Sequence, residues 1–394
     1  MTQNPAKSFL QTWLEHIHAL SVEIGPRGST TDGERKGAEY CLAILHKLGL
    51  KPILETFTSA RSIFHPHLIC SVAMLAAFAL YPQGHWWVAA LAACVSIAAL
   101  LSELLELGFH DNLLRRMVPR GQSQNVFTVI PPSGEHRQDL ILIGHIDTQR
   151  TPLIFRSYRM VELYKGFTTV AFVTFAAQAV LYVLGAIYQW SWIWYATFPT
   201  ALSALLLAAI CIEADRSPFT AGANDNASAV GLVLSLAGQV SQTPLKHTRL
   251  FCVCTGCEEV QHYGAIDFFK RHRPEMKNPQ ALVFELLGCA GPGWLTREGI
   301  IVPFYSDPAL SGLAEQLSDQ NPQWGAYPVQ ISGGNSEMAD CVRFNVPAIT
   351  LFGLTRAGRA PFWHQAGDTF DRMDPLVMEH TRAMVWAMIE ALDL

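Results

Sequence analysis

The sequence predicts an α/β fold, with a mixed central β-sheet flanked by helices and two inserted transmembrane helical hairpins. Two observations lead to this prediction. Short β-rich runs alternate with helical periodicity over most of the 394 residues. Four long apolar stretches, grouped in two pairs, interrupt that alternation.

The composition indicates contact with lipid. Half of the residues are hydrophobic and only 15% are charged, whereas an ordinary soluble domain is about 25% charged. The net charge of -5 includes no basic stripe, which argues against a nucleic-acid partner. The nine cysteines are an odd number and several lie in apolar runs, so no disulfide framework is expected. No cleavable signal peptide is expected either, because Met1 to Leu20 lacks a continuous apolar segment.

The apolar stretches approach or exceed the roughly 17 to 25 residues needed to cross a bilayer. The break within each pair is uncharged and rich in aromatic residues, as expected at a membrane interface. Arginines and lysines border the outer ends of both pairs, so the positive-inside rule places the rest of the chain on the cytoplasmic side. Buried helices or an apolar lid of a soluble protein are the alternative, because the first stretch is short and contains Pro66 and Pro82. The stretches are approximately 66–82, 86–107, 167–188 and 190–213.

The sequence predicts one α/β catalytic domain that the two hairpins interrupt. Its parts are 1–65, 108–166 and 214–394, and the hairpins are 66–107 and 167–213. Strands are predicted at Asn125–Ile130, Leu140–Gly144, Leu250–Cys254, Ala281–Leu286 and Ala348–Phe352. Helices are predicted at Ala227–Val240, Gly264–Arg271 and Pro375–Leu392.

Five segments place a metal-capable side chain at a strand end or in the following turn, where α/β enzymes build their sites. In the first, His145 and Asp147 share a face of an extended segment, so Asp147 can accept the second imidazole N–H and orient His145 as a ligand. Taken alone, a surface His–Asp couple explains this pair better. In the second, small residues present Asp225 just before a helix, although Asn-Asp-Asn is also an ordinary turn with an N-cap.

The third segment contains two adjacent carboxylates, Glu258 and Glu259, at a strand end. They repel each other unless a cation binds one and the other carries a proton, so Glu259 is the predicted ligand and Glu258 the predicted base. The nearby cysteines lack a matching ligand pair for a thiolate zinc site and are expected to be buried: Cys252, Cys254 and Cys257.

The last two segments supply Glu285 and His364. Glu285 is a lone acid in an apolar strand, so it must be protonated, paired with a cation or bound to metal. By itself His364 is an ordinary aromatic-flanked histidine. A water bridging two metals would have a lowered pKa, and Glu258 could take its proton and return it to a leaving amine. The combined nitrogen and oxygen donors are typical of a site for two zinc ions: His145, Asp225, Glu259, Glu285 and His364.

These segments, in this order, resemble metallopeptidase family 28, the co-catalytic dizinc aminopeptidases. In that family the His of a His-x-Asp motif binds one zinc, which places this role on His145 with the catalytic Asp147 behind it. The acid of the Gly-Ala-Asn-Asp-Asn-Ala-Ser signature bridges the metals, and here it is Asp225. The Glu-Glu pair supplies the general base and a ligand, here Glu258 and Glu259.

The late His before Asp-Thr completes the other metal in this family, and here it is His364. The sequence departs from the family in two ways. The fourth ligand is usually Asp, whereas Glu285 has one more methylene, which can shift one metal or alter its affinity. The second predicted hairpin separates His145 from Asp225, where the family has a short loop. Family members are commonly secreted, so a cytoplasmic catalytic domain would be unusual.

The resemblance implies a membrane-anchored, zinc-dependent aminopeptidase with a zinc aminopeptidase-like fold and two Zn²⁺ ions. It would hydrolyse N-terminal residues from peptides by a metal-bridged water with Glu258 as general base. One alternative is a glutaminyl-cyclase-like acyl transferase, a branch that resembles a single-zinc site. Another is a catalytically inactive membrane scaffold with a peptidase fold. The expected partners are a peptide substrate and the lipid bilayer, crossed by about four helices; oligomeric state and substrate preference carry no sequence signal.

Overall fold

A computed structural model describes residues 7–393, so residues 1–6 of the predicted N-terminal segment and Leu394 lie outside the described part. The chain forms two compact units. The first contains the N-terminal segment up to Ser59, Gly121–Gln149 and the chain from Phe219 onward. The second contains 60–120 and 150–218.

The first unit is built on a mixed sheet, in which nine strands are found among the described residues. They lie in the order β1-β2-β4-β3-β5-β9-β6-β7, with β8 paired to β6. The central group β4-β3-β5-β9 is parallel, whereas β2 and β6 pair with its two sides in the antiparallel sense. The strands are β1 Ile53–Ala60, β2 Arg120–Ile130, β3 Gln138–His145, β4 Thr248–Thr255, β5 Pro279–Glu285, β6 Gly293–Glu298, β7 Phe304–Tyr305, β8 Tyr327–Gln330 and β9 Ala348–Phe352.

All five strands that the sequence predicts are present, and the mixed sheet with flanking helices confirms the predicted fold class. The predicted set was incomplete, because β1, β6, β7 and β8 also belong to the sheet. The helices are α1 Phe9–His18, α2 Asp32–Lys47, α3 Phe64–Leu80, α4 Trp86–Leu107, α5 Leu113–Met117, α6 Tyr158–Tyr188, α7 Trp192–Ala196, α8 Phe198–Arg216, α9 Ser228–Gln242, α10 Tyr263–His272, α11 Pro308–Gln320, α12 Met338–Arg343 and α13 Pro375–Leu392.

Both faces of the central strands are buried, which explains their continuous apolar sequences. In β3, Leu140 and Leu142 face the core formed with α1, α2, α9, α11 and α13. Ile141 and Ile143 face the opposite core, formed with α10 and α12. Because β3, β4, β5 and β9 are parallel, their carboxyl ends meet at one edge of the sheet. As predicted, Cys252, Cys254 and Cys257 are fully buried.

The second unit consists of α3 to α8. Helix α4 packs on α6, and α3 packs on α8. Three of its helices are long and apolar enough to cross a membrane, namely α4, α6 and α8, while α3 is apolar but shorter. The fourth predicted stretch is divided between α7 and α8, because Pro199 starts a new helix at its first turn. Crossing of the bilayer by four helices therefore stays a prediction.

A buried carboxylate fixes the amino ends of the central strands. Asp139, at the start of β3, has no exposed surface. It accepts hydrogen bonds from Nε and Nη2 of Arg249, each at 2.7 Å, and from the backbone N–H of Lys277 at 2.7 Å. Burial opposes ionisation, but these donors outweigh it and hold the pKa of Asp139 below its usual value.

Arg249→Met should therefore lower the free energy of unfolding by about 3 kcal/mol, because the buried Asp139 carboxylate loses its cation while the apolar stem at position 249 is kept. Arg271→Met removes a more exposed pair with Asp267 and should cost less than about 1 kcal/mol. Denaturant unfolding in detergent measures both. Equal losses in the two variants would contradict the role of Asp139.

Candidate metal centre

Three adjacent strands deliver three of the five predicted ligands to the carboxyl edge of the sheet. Strands β3 and β5 end at His145 and Glu285. Ile143 lies opposite Val283 in the register, so the two ligands, each two residues further on, end at the same level. His145 itself lies opposite Thr255, the last residue of β4. The chain that leaves β4 carries the predicted Glu-Glu pair just beyond this level.

A tight turn presents Asp225 from the other side of the site. Gly222 has φ +62°, and a Cβ atom there would lie 2.2 Å from Cγ2 of Thr148, so only glycine fits. The carboxylate of Asp368 accepts the backbone N–H of Asn224 at 2.6 Å and that of Asp225 at 3.0 Å. These contacts fix the backbone that carries the Asp225 side chain.

The five predicted ligands and Glu258 converge. One group of donor atoms comprises His145, Asp225 and Glu285, and another comprises Asp225, Glu259 and His364. Asp225 takes part in both, with Oδ1 3.4 Å from Nε2 of His145 and Oδ2 3.4 Å from Nε2 of His364. Nε2 of His145 also lies 3.5 Å from Oε2 of Glu285, and Nε2 of His364 lies 3.2 Å from Oε2 of Glu259. An acid shared by two groups is the arrangement expected of a bridging ligand.

Asp147 differs in detail from the sequence interpretation. The nearest acceptor for Nδ1 of His145 is the backbone carbonyl of Asp147 at 3.0 Å, while the carboxylate Oδ1 lies at 3.6 Å. The carboxylate instead accepts the Ser29 hydroxyl at 2.6 Å and the backbone N–H groups of Glu258 and Glu259 at 3.0 and 3.1 Å. Asp147 thus orients the imidazole through its main chain and holds the Glu-Glu pair through its side chain.

The donor set fits divalent cations. Four carboxylates crowd around the two imidazoles, and Oε1 of Glu259 and of Glu285 is buried without a hydrogen-bond partner among the described residues. Burying uncompensated negative charge is costly. A pair of divalent cations would balance it, and mixed imidazole and carboxylate ligands suit zinc.

The electrostatics of the cluster show the same demand for positive charge. Burial raises the pKa of Glu259 to about 7 and that of Glu285 well above its usual value. For His145 burial acts against protonation, but the surrounding carboxylates outweigh it and raise its pKa well above the usual range. The same balance raises the pKa of His364 to about 10. The carboxylates therefore favour positive charge at both histidines, which is the charge that metal ions would supply.

Comparison with known proteins relates part of this chain to a peptidase family. Residues 209–389 match the model of Peptidase family M28. This match and the fold both support a relationship of the chain to the M28 family. No curated protein matches the chain in sequence.

Solved structures of aminopeptidases and glutaminyl cyclases align over almost the whole chain. A leucine aminopeptidase precursor from Bacteroides thetaiotaomicron has a TM-score of 0.57 at 11% identity, covering 97% of this chain and 96% of that one. The glutaminyl cyclase of the same organism, bound to N-acetylhistamine, has a TM-score of 0.58 at 12% identity and covers 97% of both chains. A zinc aminopeptidase from Bacillus subtilis has a TM-score of 0.58 at 11% identity, with coverage of 97% and 95%. At these identities the likeness shows the fold alone, and the M28 match implies zinc.

Two further residues, which were not among the predicted site residues, support the candidate metal centre. Arg27 is fully buried, and its guanidinium donates to the carbonyls of Ile146 at 2.9 Å and Gly222 at 2.8 Å. It thus ties the strand end beside His145 to the turn before Asp225. Gln149 donates to Oε2 of Glu259 at 3.1 Å. Arg27 ends the segment Ile24-Gly25-Pro26-Arg27, which resembles the family's N-terminal helix region, whereas no pattern in the sequence distinguishes Gln149.

Proposed function

We propose that this protein is a membrane-anchored, zinc-dependent aminopeptidase that hydrolyses N-terminal residues from peptides. The observation that carries the proposal is the convergence of two buried ligand groups that share Asp225, with Glu258 beside them. The M28 match supports peptidase chemistry. The residues that would hold the two zinc ions are His145, Asp225, Glu259, Glu285 and His364.

Glu258 is the proposed general base. When bound, zinc polarises a scissile carbonyl and makes water more acidic. Oε2 of Glu258 lies 3.8 Å from Nε2 of His145, so this oxygen faces the ligand cluster. Glu258 takes the proton of the attacking water and returns it to the leaving amine. Asp147 holds the backbone N–H of Glu258 and so keeps the base in place.

Cyclisation of N-terminal glutaminyl residues is the second candidate, because solved glutaminyl cyclases share the fold as well as aminopeptidases do. The first ligand group favours hydrolysis. His145 lies 3.4 Å from Asp225 and 3.5 Å from Glu285, which leaves both metal positions with a histidine and carboxylates. An enzyme with a single zinc ion would not need the group of His145, Asp225 and Glu285 in addition to the other one. A scaffold without activity is disfavoured, because the predicted base and all five predicted ligands are present in the cluster.

The bilayer is the proposed anchor. Large apolar side chains are exposed along α4, α6 and α8, including Leu101, Val173 and Leu202 at more than half of their maximal exposure. Lipid contact accounts for such surfaces. By the positive-inside rule the catalytic unit lies on the cytoplasmic side, with α3 as a fourth spanning helix.

Glu258→Gln should lower kcat for aminoacyl-nitroanilides by about 100-fold or more, because the amide cannot accept the proton of water. Zinc content should stay unchanged, since Glu258 is not a proposed ligand. The matched control is Glu315→Gln on the exposed face of α11, which should keep full activity. Turnover assays on protein purified in detergent measure kcat, and metal analysis measures the zinc content. Wild-type turnover in Glu258→Gln would contradict the assignment of the base.

Metal analysis should find about two zinc ions per wild-type chain, since two ligand groups are complete. His145→Ala and His364→Ala should each lose about one, because each removes the only histidine of one group. Chelation should abolish hydrolysis, and added zinc should restore it. One zinc per wild-type chain, with cyclisation of glutaminyl peptides, would favour the second candidate.

The protein should stay in the membrane pellet after alkaline carbonate washing, because its exposed apolar helices require lipid. Detergent should release it. Fractionation followed by immunoblotting measures this, with a peripheral membrane protein as control. Release by carbonate alone, as a monodisperse soluble protein, would favour an apolar lid over transmembrane helices.

A further inference from the structure

A buried histidine outside the ligand set contacts the proposed base. Nε2 of His262 lies 3.0 Å from Oε1 of Glu258, and its Nδ1 lies 2.6 Å from Oδ2 of Asp340. The side chains of His262 and Asp340 are 5% and 1% exposed, so water does not screen these contacts. His262 immediately precedes α10, whereas Asp340 lies in α12. The three side chains form a line that leads from α12 to the site.

The two carboxylate oxygens of Glu258 face different partners. Oε1 meets His262, while Oε2 faces Nε2 of His145 and the ligand cluster. A donor on one oxygen restrains rotation of the carboxylate group. The other oxygen is then presented to the position from which a water would be activated.

A backbone turn brings His262 back beside Glu258. The N–H groups of Gln261 and His262 both donate to the carbonyl oxygen of Glu258, at 3.0 and 2.8 Å. This turn requires φ of +86° at Gln261 and +57° at His262, although neither is a glycine. Non-glycine residues in this region are uncommon, and they occur where the surrounding structure requires them, often at functional sites.

We propose that Asp340 and His262 are positioning residues that hold the Glu258 carboxylate in its catalytic orientation. Asp340 fixes the imidazole ring, and the ring fixes one oxygen of the base, in the way that outer carboxylates orient ligand histidines. The inference rests on the proposed function, in which Glu258 is the base. A base that is held loosely lowers the rate of the chemical step more than the affinity for substrate.

Two variants at one position separate the contacts. The amide nitrogen of Gln stands about as far along its side chain as imidazole Nε2, so His262→Gln keeps a donor for Glu258. That of Asn matches Nδ1, so His262→Asn keeps only the contact with Asp340. We expect His262→Asn to lower kcat by about 30- to 100-fold, with KM changed by less than about threefold. His262→Gln should stay within about fivefold of wild type.

The two variants should rank in the opposite order for thermal stability. A merely structural role for His262 would instead give the same order for stability and for kcat. His262→Gln leaves Asp340, the more buried carboxylate, without its imidazole, so its thermal unfolding midpoint should fall further than that of His262→Asn. Zinc content should be unchanged in both. His272 provides the matched control: it contacts Glu55 at 2.9 Å from the far end of α10, and its Gln and Asn variants should both keep wild-type kcat.

Asp340→Asn tests the outer contact. Alone it should lower kcat, because the imidazole ring loses its fixed acceptor. Added to His262→Gln it should have no further effect, since that variant no longer uses Asp340. A fall in kcat that parallels the loss of stability or zinc across the variants would overturn the proposal, as would additive effects.

Failure of the proposed function has a different signature. Absence of metal-dependent turnover in wild type, over hydrolysis and cyclisation assays, would refute the function without deciding the positioning contact. The thermal midpoints of metal-free Glu258→Gln, His262→Asn and their double variant decide it. Non-additive shifts would support the contact between the two side chains, and additive shifts would overturn it.

Discussion

Repulsion among buried carboxylates is the constraint on which the centre depends. Asp225, Glu258, Glu259 and Glu285 lie together at the carboxyl edge of a sheet whose two faces are covered by helices. Such a cluster is stable only when positive charge lies among the acids. The raised pKa values of His145 and Glu259 reflect this demand for positive charge. A divalent cation bound by these side chains would displace protons, so metal binding and proton release would be coupled.

The groups behind the ligands follow from the same constraint, because they hold the backbone against this repulsion. The cationic guanidinium of Arg27 contacts only carbonyl oxygens among the hydrogen bonds found for the described residues, so it brings positive charge near the cluster without blocking a carboxylate. Asp147 and Asp368 accept backbone N–H groups on either side of the site. Each of these contacts uses a side chain to fix main chain, which leaves the ligand side chains available for metal.

Much of this arrangement could be predicted because buried parallel strands have a recognisable sequence pattern. Buried strands such as β3 are continuous apolar runs, and a polar residue at the end, such as His145, marks the edge where a site forms. The edge strands β1 and β7 are partly exposed or only two residues long, so periodicity did not identify them. Contacts between distant residues also leave no local pattern: His262 and Asp340 are 78 residues apart. The acceptor for His145 depends on the turn at Asp147, which residue types alone do not specify.

The helical unit exposes large apolar side chains and buries several polar ones, which favours contact with lipid over the role of a soluble lid. Two ion pairs within it lie largely inside the unit: His67 contacts Glu103 at 2.5 Å, and Arg115 contacts Glu106 at 3.1 Å. Gln178 is fully buried and donates to Ser96 at 3.1 Å. A soluble lid would bury apolar side chains and expose polar ones. A bundle in lipid must instead satisfy its polar groups internally, and these pairs then fix how its helices register against each other.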